Sequence, residues 1–220
     1  MEAPSTRTKL LEAARDTIRA KGYASTSVDD ICAAAGVSKG SFFHHFASKE
    51  AMGVAAIQYW NETTTRLFLS QPYMGDDDPR MRVFGYLDLR LALISESIPG
   101  FTCLIGTTVQ ETYATSAPLR AASEAGLFDH VAMLARELDA ARARHAPGAD
   151  WTGAGIGAFI QASLQGAFIL AKAKSDPQVA RDCIAHLRRF IESLIGSAPR
   201  PDTRSDGRAG ENDPSRENRP

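Results

Sequence analysis

Residues 27–46 read SVDDICAAAGVSKGSFFHHF, and their spacing decides how the N-terminal part of the chain folds. Ser27 stands where a helix N-cap belongs, Asp29 and Asp30 complement the first-turn dipole, and Val28, Ile31, Cys32 and Ala35 supply an apolar face. Gly36 interrupts this helix, and Ser38 caps a second short one running to about Phe46. The spacing permits a helix-turn-helix, in which two short helices meet across a tight turn and the second lies in the DNA major groove. On a helical wheel Phe42 and Phe46 are i,i+4 neighbours and form an inward stripe that can meet Ile18, Ile31 and Val37. Opposite them lie Gly40 and His44, flanked by Ser41 and Phe43, with Lys39 at the N-terminal end. A helical glycine costs about 1 kcal/mol relative to alanine. Gly40 therefore asks for a reason, and close approach of backbone to DNA is one.

Upstream, Leu10, Leu11, Ala14 and Ile18 share one face of a first helix; downstream, Ser48 caps a fourth that extends past Trp60 towards Leu69. Ser48 and Lys49 combine a capping hydroxyl, free backbone N–H groups and a cation, a combination that suits a phosphate. Taken alone, Lys49 equally fits a solvated first turn, and the other polar positions equally fit a short capped helix at the surface.

Helical spacing continues to about residue 195 with no period-2 alternation. Further helices are expected at 80–97, at 103–113, from Ser116-Pro118 onward, and from Asp150 and Asp176-Pro177, where aspartate can cap and proline fits the first turn. The predicted fold is all-α, with about nine helices. Residues 1–55 are expected to form one unit that holds the candidate helix-turn-helix, 56–196 a helical domain, and 197–220, rich in Pro, Gly and charge, a disordered tail.

The whole chain has 220 residues, 44% of them apolar and 23% charged, enough for a real core. Its net charge of -1 excludes a uniformly basic nucleic-acid coat, but the zones differ: residues 1–55 carry +1, 56–195 carry -2, and 196–220 are neutral. Three dispersed cysteines, Cys32, Cys103 and Cys183, suit neither a disulfide scaffold nor a paired zinc site. With a polar, charged start in place of an export signal, the expected compartment is the cytoplasm. The apolar run 153–171 contains Gln161, Ser163 and Gln165 and is followed by Lys172 and Lys174, so it reads as an internal packing helix, with no membrane partner expected.

The stretch from Thr8 to Ile57 resembles the DNA-binding domain of TetR-family transcriptional regulators. The resemblance rests on Ala13-Ala14, Ile18, Lys21-Gly22-Tyr23, Thr26-Ser27-Val28, Ile31, Ala34, the run 35–42 (AGVSKGSF), His45-Phe46 and Ser48-Lys49-Glu50. It implies a homodimer that binds a palindromic operator in double-stranded DNA, usually as a repressor, and releases it when a small-molecule effector occupies the C-terminal domain. Carried over residue by residue, the DNA contacts fall on Thr26 and Ser27, on Lys39, Gly40, Ser41, Phe43 and His44, and on His45 and Lys49. Phe43 departs from the tyrosine common in the family and lacks its phosphate-binding hydroxyl.

The family's dimer is a four-helix bundle made by the last two helices of each subunit. Here those are 151–174, with Gly153, Gly155, Gly157, Ser163 and Gly166, and 177–195, with Ile184, Leu187, Ile191 and Leu194. The small residues equally allow close packing within one subunit. Residues 101–111, FTCLIGTTVQE, resemble a segment of TetR-type regulators that answer electrophiles or acrylate-like compounds. Cys103 is thus either a sensor thiol at a helix N-terminus or a small buried residue. Candidate effector-pocket residues are Phe84, Leu87, Cys103, Thr107, Gln110, Tyr113, Phe128, Phe159 and Gln161, all of which would also serve an ordinary core.

An enzyme is the competing class. His44 and His45 point to different helix faces, and His130, His145 and His186 lack partners at metal-site spacing. There is no Walker-type loop and no nucleophile elbow. No catalytic residue, metal or cofactor is expected.

Overall fold

The computed structural model describes residues 4–197; the tail predicted for 197–220 lies outside them apart from Ser197. Among the described residues there are ten α-helices and no strand. Four build a head: α1 (Thr6–Lys21), α2 (Val28–Ala35), α3 (Lys39–His45) and the first half of α4 (Lys49–Leu69). The other six, together with the second half of α4, build a body: α5 (Pro79–Ala92), α6 (Ile98–Phe101), α7 (Leu104–Thr112), α8 (Ala117–His145), α9 (Gly153–Lys174) and α10 (Pro177–Ile195).

Serine caps set the register of the head. Ser27 accepts from the Asp30 backbone N–H while the Asp30 carboxylate accepts from Ser27, a reciprocal capping box; Ser38 and Ser48 cap α3 and α4 through Ser41 and Ala51. Gly36 ends α2 at φ +66, a left-handed conformation that glycine adopts without steric cost, and the chain turns there into α3. Leu10, Leu11, Ile18, Ile31, Phe42, Phe46 and Met52 close the head's core, together with Leu104 from α7. The body's core gathers Phe68, Phe84, Leu87, Leu134, Leu138, Ile160, Leu164, Ile184 and Ile191.

Two boundaries differ from the sequence reading. The helix expected at 80–97 stops at Ala92; Arg181 of α10 donates to the Ile94 carbonyl, and Pro99, which has no N–H to donate, sits in the first turn of the separate α6. Helix α9 starts at Gly153 and not at Asp150, because Thr152 caps it and Asp139 of α8 accepts the Gly153 N–H.

Asp78 ties the beginning of α5 to the end of α8. It caps α5, accepts from Arg80, and lies 2.7 Å from His145 Nε2. Burial alone would raise its carboxyl, but the hydrogen bonds from Arg80 and His145 outweigh burial and hold it well below the ordinary carboxylate range. A depressed carboxylate stabilises the fold fully above its unfolded pKa, and that contribution fades as acid protonates it. Asp78→Ala should therefore cost about 1 kcal/mol or more at neutral pH through cap loss. In urea titrations the gap from wild type should shrink below about pH 4.

Candidate nucleic-acid interface and effector cavity

Helix α3 turns Phe42 wholly inward and leaves Phe43 51% exposed, with Gly40 and His44 also on the outer side. A methyl added at Gly40 would meet only Ser38 Oγ, at 3.8 Å, so nothing inside the protein requires glycine there. The requirement, if it is steric, comes from outside. Ser41 donates its backbone N–H to Ser38 and has no side-chain partner among the described residues. His45 is half-buried, between His44 and Phe46.

The cations on this face are engaged. Lys39 lies 3.0 Å from Asp29 Oδ1, both side chains mostly exposed, a weak pair that a phosphate can displace. Lys49, in the first turn of α4, sits 4.4 Å over the Tyr23 ring and 3.4 Å from the Ala24 carbonyl; burial pulls its pKa down against the opposing charge of Glu111. Ser27 stays at the surface with its hydroxyl spent on Asp30. Thr26 is placed differently from the expectation. It is 1% exposed and its hydroxyl donates to the Gly22 carbonyl, so this side chain closes the α1–α2 turn and offers DNA nothing.

Among the described residues three hydrogen bonds join head to body: Arg19 Nε to the Thr102 carbonyl at 2.7 Å, the Ala24 N–H to Glu111 at 2.6 Å, and Ser116 Oγ to Glu50 at 2.6 Å. A movement of α7 therefore pulls on the turn that leads into the helix-turn-helix.

In the body, Cys103 and Gln161 border an inner cavity with Trp60, Asn61, Arg90 and His130. Cys103, Thr107 and Gln110 border a neighbouring groove of about 260 Å3 that reaches Lys172. Cys103 caps α7, its sulfur 3.4 Å from the Gly106 N–H, while Lys172 donates to Thr107. The remaining predicted pocket residues are not brought together with these. Phe84 and Leu87 are sealed in the body's core, whereas Tyr113, Phe128 and Phe159 stand on the surface, where helical periodicity turns them away from the cavity.

Sequence reasoning missed Trp60, Arg90 and His130. A signal existed for the last: on α8, Leu119, Ser123, Gly126, His130, Leu134 and Leu138 all fall on the buried stripe, and a histidine there needs a partner. It has two. Tyr86 OH lies 2.8 Å and Arg90 Nη2 3.1 Å from Nε2, and Arg90 Nε donates to the Tyr86 hydroxyl. These donors assign the ring proton to Nδ1. Among the described residues no group of three His, Cys, Asp or Glu side chains is placed to hold a metal.

Burial, reinforced by the Arg90 charge, pulls His130 down to about 3. The unfolded chain takes up a proton at an ordinary histidine pKa while the folded one does not. The resulting stability is intact above about pH 6.5 and drains as pH falls towards 3. Urea titrations near pH 7.5 and pH 5 should show a loss at the lower pH that is smaller in His130→Gln.

Residues 10–56 match the family described as bacterial regulatory proteins, tetR family. The chain is 37% identical over 100 residues to the HTH-type transcriptional repressor DhaR of Mycobacterium sp. strain GP1, covering 46% of this chain and 48% of that one. It is 37% identical over 118 residues to the transcriptional regulator AcuR of Cereibacter sphaeroides, covering 51% and 52%. These matches thus span about half the length of either relative. The crystal structure of reduced Escherichia coli NemR superposes with a TM-score of 0.71 at 25% identity, over 88% of this chain and 98% of that one. With the helix-turn-helix geometry, residues 10–56 carry the N-terminal domain of the tetR family of bacterial regulatory proteins, and the chain shares its all-helical fold with NemR.

Proposed function

We propose that the protein is a homodimeric transcriptional repressor that binds a palindromic operator through α3 and releases it when a small effector occupies the body. The observation that carries this reading is the outer face of α3, where Gly40, Phe43 and His44 are exposed and Ser41 half-buried, outside the head's core. Lys39 supplies a phosphate ligand once it leaves Asp29, and Lys49 with the α4 N-terminus supplies another. Phe43 offers a ring for a thymine methyl where a tyrosine would hydrogen-bond phosphate.

Dimerisation is supported by the surface of α9 and α10. Gly153 and Gly157 face the α8 backbone, so those two serve packing within the subunit. Gly155, Phe159, Ala162, Gly166, Ile169 and Leu170 follow helical spacing on the outer side, and Phe159 pairs with the exposed Phe190 of α10 at 5.1 Å. By length and composition α9 is apolar enough to cross a membrane, but its other face carries Ile160, Gln161, Leu164 and Phe168 into the body. A second subunit covers the outer stripe more economically than lipid does, and the working compartment is the cytoplasm.

A second reading concerns Cys103 as an electrophile sensor. Its sulfur at the α7 N-terminus beside a solvent-reaching groove favours it. Mass spectrometry after mild electrophile exposure should find an adduct that Cys103→Ser lacks, with operator release abolished in parallel; release unchanged in Cys103→Ser would remove the sensor.

Fluorescence anisotropy with DNA from upstream of the protein's own gene tests the main reading. Sequence-specific binding is expected, and Lys49→Ala should weaken it on all sequences while lowering the salt slope by about one per head. Asp29→Asn, which frees Lys39, should tighten it. Absence of specific binding to any DNA of the source genome would sink the repressor. In sedimentation velocity Phe159→Glu should convert the dimer to monomer.

A further inference from the structure

A cleft of about 260 Å3 lies on the seam between head and body, with Arg15 and Arg19 of α1, Trp60 of α4, Arg90 of α5 and Phe101 of α6 among its walls. No carboxylate lines it. Arg15 is already matched, since Asp16 takes both its Nε and its Nη2 at 2.7 and 2.8 Å, with Glu12 nearby. Arg19 is 8% exposed, lies 3.8 Å from Asp16 at its nearest, and stacks 4.8 Å over Trp60. Arg90 has no acidic partner within 4 Å among the described residues. Its neighbours are neutral: the Tyr86 hydroxyl, His130, and the Phe68 ring 4.3 Å below the guanidinium. Its Nη1 makes no hydrogen bond there.

A partly buried guanidinium without a counter-ion is costly, and one whose face is stacked on a ring keeps its N–H edge for recognition. Trp60, Leu67, Phe68 and Phe101 give the cleft flat apolar walls, with Thr63 and Thr64 as its neutral polar groups, a lining that does not suit a bare inorganic ion. We propose that this cleft binds a small organic anion, a monocarboxylate on a flat apolar body, with the carboxylate held by Arg90 beside Arg19 and the body against Trp60 and Phe101. Arg19 belongs to the head and Arg90 to the body, so the occupant bridges the two. That its occupancy alters DNA binding rests on the repressor reading above; that it binds does not.

Trp60 reports the site. The chain's only other tryptophan is Trp151, and Trp151→Phe leaves Trp60 as the sole emitter. In that protein, titration with benzoate should change Trp60 emission saturably, while its neutral counterpart benzamide and inorganic phosphate should not. Arg90→Gln should weaken benzoate by about tenfold or more, the loss of one charge-assisted contact, while Arg15→Gln should leave it nearly unchanged. Equal binding of benzoate and benzamide would overturn the proposal, as would phosphate matching benzoate or unchanged benzoate affinity in Arg90→Gln. The benzoate, benzamide and phosphate comparison needs no Arg90 variant, so a misfolded Arg90→Gln leaves the test standing. No DNA is present in these titrations. Failure to bind benzoate leaves the repressor untouched, and benzoate binding by a protein that binds no operator removes the repressor and keeps the site.

Discussion

Leu104 belongs by sequence to the body and by packing to the head, where it is completely buried beside Ile18 and Met52. Around it the segment 102–116 grips the head through the Thr102 carbonyl, the Glu111 carboxylate and the Ser116 hydroxyl. On the other side α4 passes without a break from the head's core, at Met52 and Ala56, to the body's core at Phe68. The head is therefore mounted at two places, one a continuous helix and the other an apolar peg with polar ties. Close-packed interiors shift between discrete arrangements rather than deforming continuously. The Ala24–Glu111 bond links the position of α7 to the turn that precedes the helix-turn-helix.

The electrostatics of the head are correspondingly sparing. Residues 1–55 carry only +1, and the structure shows that two of their cations are already occupied, Lys39 by Asp29 and Lys49 by the Tyr23 ring. Non-specific attraction to a polyanion grows with the number of phosphates neutralised, so a head built this way has little of it. Recognition by such a head is left to shape and to a few aimed donors.

The parts of the fold governed by local chemistry were legible in the sequence. Ser27, Ser38 and Ser48 cap helices where their spacing said they would, and the Phe42–Phe46 stripe faces inward. What was not legible depends on distant residues. Nothing near position 93 announces that Arg181, nearly ninety residues later, takes the Ile94 carbonyl, and nothing near Asp150 says that Asp139 prefers the Gly153 N–H. Thr26 looks like any exposed turn threonine until the Gly22 carbonyl is placed beneath it. The cavity walls come from several helices at once, and apolar residues such as Phe84 and Leu87 have the same periodicity whether they line a cavity or fill a core. Polar residues on a buried stripe were the better guide, and Arg90 and His130 were the two to follow.

The position of Leu104 also orders events during synthesis. A growing chain that has delivered α1 through α4 already carries the whole helix-turn-helix, but the apolar site that Leu104 fills is still open to water. Burying a leucine contributes about 1.5–3 kcal/mol, a large part of a marginal stability. The reading head is thus firmly seated only after the first turn of α7 leaves the ribosome. Until residues 102–116 have followed, the head lacks both that side chain and the polar ties beside it.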